Sequence, residues 1–79
     1  MKYLVRGAES QAMVLLLLKF TKIKSEPQIK AITDHLCHGY NVTRSSTRNG
    51  IQEQNLCRAL NTLDEKAGIA EEITELKRG

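Results

Sequence analysis

Residues 42–63, VTRSSTRNGIQEQNLCRALNTL, decide the fold, because they read as a short helix, a tight turn and a second amphipathic helix. A helix-turn-helix needs a residue that tolerates positive φ in the turn, a small residue where the helices cross, and apolar residues that lock the second helix down. Gly50 meets the first need and Ser46 the second. Ile51, Leu56, Ala59, Leu60 and Leu63 meet the third, leaving Gln52, Glu53, Gln54, Cys57, Arg58 and Asn61 as the outward or lateral set.

Upstream, a first helix is expected from Ser10 to about Lys19, with Ser10 as its cap. Its run from Met13 to Leu18 is too wide for one neighbouring helix to cover, so this helix is either central to the fold or the place where copies of the chain meet. The residues assigned to oligomerisation are Leu15, Leu16, Leu17 and Leu18. A strand is the rival reading, since a short continuous apolar run has no diagnostic period.

A second helix starts at a capping box, Ser25-Glu26-Pro27-Gln28, and presents Ile29, Ile32, Leu36 and Cys37 on one side with Lys30, Asp34 and His38 opposite. Gly39 ends it. The helix of the motif covers about Thr43 to Arg48, the next runs from Gln52 to about Glu65, and Ala67-Gly68 interrupts the pattern before a last helix from Ile69 to Lys77. The expectation is one all-α domain over residues 1–79, with four to five helices, a helix-turn-helix for DNA and an N-terminal oligomerisation helix.

Size points the same way. A chain of 79 residues buries only about 60% of its unfolded surface, and two cysteines make no disulfide framework, so self-association is the expected remedy. Charge is uneven. Residues 1–24 carry Lys2, Arg6, Lys19, Lys22 and Lys24 against Glu9, a net +4, whereas residues 64–79 carry Asp64, Glu65, Glu71, Glu72 and Glu75 against Lys66, Lys77 and Arg78, a net −2. A basic body suits a phosphate backbone, and a mixed solvated surface explains the same counts equally well.

The apolar run at Met13–Leu18 is far short of the ~20 residues a membrane span requires, and Arg6 and Glu9 break what would be a secretion signal. A cytoplasmic protein is expected, with no membrane partner. His35 and Cys37 do not share a helical face and no Cys-x-x-Cys exists, so no metal or other cofactor is expected. No phosphate loop or activated nucleophile is present, which argues against an enzyme.

Reading DNA asks the helix after the turn to offer polar side chains to a groove while its back packs inward. Gln52, Glu53, Gln54 and Arg58, with Asn61, fill that role here, and Arg44 and Arg48 on the preceding helix hold phosphates. The bland alternative is a solvated face on a helical oligomerising module that binds another protein and never touches DNA.

Gly7 and Ser10 stand ahead of Leu15-Leu16-Leu17-Leu18, Lys24-Ser25 leads into Ala31, Asp34, Leu36 and Gly39, and Leu60-x-x-Leu63 follows. In the order and spacing of these residues, from Gly7 to Leu76, the chain resembles the PapB family of regulators of fimbrial adhesin operons in enteric bacteria. The resemblance implies a cytosolic helical protein that binds AT-rich repeats in double-stranded DNA as an oligomer, partly through the minor groove, with the Leu15–Leu18 region as its oligomerisation element. Members carry a basic residue where this chain has Val42 and a cysteine where it has Ser46.

Overall fold

The two shortest helices are bounded by residues that meet a backbone need. In the computed structural model, which describes residues 1–78, the elements are α1 (Gln11–Leu18), α2 (Glu26–Leu36), α3 (Val42–Asn49) and α4 (Glu53–Arg78), with no strand among the described residues. Ser10 caps α1 as expected, its Oγ accepting from the Met13 amide at 3.1 Å. Asn41 caps α3 by accepting from the Arg44 amide at 2.7 Å, so that helix starts at Val42, one residue before its expected first residue. Gly50 closes α3 in the left-handed region at φ 68°.

Two expectations are corrected. The capping box at Ser25 does not close: Ser25 makes no side-chain bond to the helix. Pro27 follows Glu26 in the first turn and removes one of the two amides a cap residue normally bonds. The interruption at Ala67-Gly68 is also absent, and α4 runs unbroken for 26 residues, merging the two helices expected there. A single interior glycine costs a helix only about 1 kcal/mol relative to alanine. Gly68 is there for contact: a Cβ on it would lie 2.5 Å from Cε2 of Tyr3.

The core is formed by Leu4, Val14, Leu17, Leu18, Ala31, Ile32, Leu36, Leu56, Ala59, Leu60 and Leu63, drawn from all helices but α3. α3 packs through its small residues instead, with Ser45 and Ser46 buried against α2 and α4. Their hydroxyls stay satisfied, Ser46 Oγ donating to the Thr43 carbonyl at 3.0 Å. His35 is buried as well, and its Nδ1 bonds the Tyr40 carbonyl at 2.8 Å. Cys37 is half-buried, and burial, then the charge of Glu9, pushes its thiol above the ordinary range.

Residues 1–9 form a strap. The amides of Lys2, Tyr3 and Leu4 all donate to the Asp64 carboxylate at 2.8 Å. Further along, the Gly7 and Glu9 amides bond the carbonyls of His35 and Leu36, which the end of α2 leaves without helical partners. The strap comes so close to the α2–α3 turn that a Cβ on Gly7 would sit 3.0 Å from the Gly39 Cα, and both glycines have positive φ. No helix among the described residues is long and apolar enough to cross a membrane.

Candidate nucleic-acid interface

Positions 54, 58 and 61 follow one another at i, i+4 and i+7 on α4, opposite the buried row of Leu56, Leu60 and Leu63. Gln54, Arg58 and Asn61 therefore share one exposed face, with Gln52 exposed just ahead of the helix. None of these four side chains bonds another described residue, so the whole set is open to solvent or to a ligand. Glu53 differs from them: its Oε1 accepts from Thr43 Oγ1 at 2.8 Å, clasping the starts of α3 and α4 across the turn. It is a brace of the motif rather than part of the open face.

Arg44 and Arg48 lie one turn apart on α3, and both stack on the ring of Tyr40, their guanidinium carbons 4.7 and 4.6 Å from its centroid. Stacking of this kind orients a guanidinium while leaving its N–H edge free to donate. Arg48 also approaches Asp34, with 3.6 Å between Nε and Oδ2. Asp34 accepts from Asn49 Nδ2 at 2.9 Å, and the same Nδ2 donates to the Ser45 carbonyl at 2.8 Å, tying the end of α3 to α2.

The three arginines thus fall into two groups: Arg44 and Arg48 on Tyr40, and Arg58 on α4. Both border the first turn of α2. On one side Arg48 and Asn49 share a shallow cleft with Glu26, Pro27 and Lys30. On the other, Arg58 and Asn55 share one with Ser25, Gln28 and Ile51. None of the three pairs with Asp64, whose carboxylate is taken by the strap. Tyr40, Gln28 and Lys30 belong to this surface and escaped the sequence reading. Tyr40 precedes the Asn41 cap of α3, outside the reach of helical spacing, so no periodic signal marks the aromatic.

Among the leucines assigned to oligomerisation, Leu17 and Leu18 are buried in the chain's own core. Leu15 and Leu16 remain exposed, together with Met13 and Phe20.

The fold and this surface define a small helical domain with a three-helix unit, α2 to α4, that presents an open polar face beside stacked arginines. The chain matches no family model, no curated protein and no solved structure with which it was compared.

Proposed function

We propose that the chain is a DNA-binding transcriptional regulator that works in the cytoplasm and occupies AT-rich repeated sites as an oligomer. The observation that carries the reading is the exposed face of Gln54, Arg58 and Asn61, which has no partner within the described residues and stands on the helix that follows a glycine turn. Glutamine and asparagine pair bidentately with adenine, and arginine with guanine or phosphate. Arg44 and Arg48, held by Tyr40, supply phosphate contacts that fix register. The resemblance to the PapB family directs the reading to a fimbrial adhesin operon.

Titration onto labelled AT-rich repeats, with a GC-rich competitor and at two salt concentrations, tests it. Preferential binding that weakens with salt, by a slope of about −0.9 per phosphate neutralised, is expected. Arg58→Ala is expected to lower affinity about 10-fold while leaving the thermal melt in place, since one good base or phosphate contact contributes roughly 1–3 kcal/mol. Absent or salt-insensitive binding sinks the reading and leaves the oligomerising protein-interaction module.

A further inference from the structure

Ile69, Ile73 and Leu76 are 46%, 50% and 81% exposed, and they recur at i, i+4 and i+7 along the C-terminal half of α4. That spacing places them on one face. It is not the face that packs on the rest of the molecule, because Ala67, Thr74 and Glu71 line the groove against α1 and the strap, and Gly68 lies under Tyr3. The half-helix therefore has two faces, and the second one is bare.

In a heptad frame with Ile73 at a, both Ile69 and Leu76 fall at d. The two flanks of the stripe carry opposite charges. Glu65 and Glu72 take the g positions on one flank, while Lys77 takes an e position on the other, and all three are exposed. In a parallel helix pair, g meets e of the partner five residues on, so Glu72 faces a lysine. In an antiparallel pair like flanks meet, and glutamate faces glutamate. Charge complementarity therefore selects both the occupant of this face and its direction.

We propose that the C-terminal half of α4 is a self-association surface on which two copies of this chain pair in parallel through Ile69, Ile73 and Leu76, with Glu72 of each copy against Lys77 of the other. The stripe is short, so the dimer is weak and concentration-dependent. Residues 44–61 play no part in it, and it holds whether or not the chain binds DNA. The contact is also separate from Leu15 and Leu16 on α1.

The test is made without DNA. In a Cys57→Ser chain, Leu76→Cys is expected to form a covalent dimer on mild oxidation, because identical d positions face each other only when the helices run in parallel. The Cys57→Ser chain without the added cysteine is the blank. Ile73→Glu replaces an exposed residue, and by light scattering it is expected to return a concentration-dependent dimer to monomer with the helical circular dichroism unchanged. Three results overturn the proposal. These are a monomer at every accessible concentration, cross-linking only when an Ile73→Cys chain is mixed with an Ile69→Cys or Leu76→Cys chain, as an antiparallel pair would set a against d, and a dimer that survives Ile73→Glu but is lost with Leu16→Glu.

Discussion

The two halves of α4 repeat apolar residues with nearly the same spacing and meet opposite fates. Leu56, Leu60 and Leu63 are sealed by the neighbouring helices, whereas Ile69, Ile73 and Leu76 face outward beyond the globule. The two rows lie on opposite sides of the helix: Ala67, Glu71 and Thr74 continue the covered row along the groove with α1 and the strap, and Ile69, Ile73 and Leu76 turn away from it. An amphipathic stripe states that a face needs company. It does not state which molecule provides it.

Truncation on each half breaks or sharpens that contrast most directly. Leu56 is fully buried, and Leu56→Ala is expected to cost about 2–5 kcal/mol in denaturant unfolding, a large share of what a domain of this size holds. Ile69→Ala, measured in the dilute monomer, is expected to change stability by less than about 0.5 kcal/mol. Similar losses at the two sites would erase the distinction between the halves.

A smaller effect is expected at Asp64, which stands where the covered half gives way to the bare one. Burial pushes its carboxyl up, but the amides of Lys2, Leu4 and Tyr3 together with the charged N-terminus outweigh that, and the group titrates below the usual carboxylate range. A carboxylate depressed by folding stabilises at pH values above its unfolded pKa, and the contribution fades as pH falls through the folded one. Asp64→Asn should therefore lower the melting temperature at pH 7, by the equivalent of about 1 kcal/mol given its exposure to solvent. The two melting curves should begin to approach below about pH 4, where ordinary carboxylates protonate, and meet only in stronger acid, once the depressed folded value has been passed. A constant offset down to strong acid would show that the strap does not depend on the charge.

Gly68→Ala sets two small effects against each other. Alanine favours the helix by about 1 kcal/mol, while its methyl displaces the ring of Tyr3, which is half exposed and free to swing aside. Stability should stay within about 1 kcal/mol of the starting chain while the Tyr3 ring resonances shift in a proton spectrum. A loss well beyond that would make the tyrosine seat a principal support of the strap.

Local chemistry made much of this legible from the residues alone. Ser10, Gly39 and Gly50 act on their immediate neighbours, and so the starts and stops they imply are found in the structure. The burial of Leu56, Ala59, Leu60 and Leu63 follows from helical spacing in the same way. Features set by distant residues were not legible. Gly68 looks like a helix breaker until Tyr3, 65 positions away, is seen to occupy the space its missing side chain leaves. Asp64 and Glu65 look equivalent in sequence, yet only Asp64 collects three amides from the other end of the chain. On the candidate DNA surface, the open row of Gln54, Arg58 and Asn61 was readable from its period. The stacking of Arg44 and Arg48 on Tyr40 was not, because the ring lies outside the helix and reaches them through the turn.

The chain has two tyrosines and no tryptophan. One sits over Gly68 and the other stacks with two guanidiniums, so the protein carries its own optical labels at the strap and at the basic surface. Tyr3→Phe leaves a molecule whose tyrosine emission comes entirely from the ring beneath Arg44 and Arg48. A ligand that draws those arginines away then changes the light directly, with no dye attached.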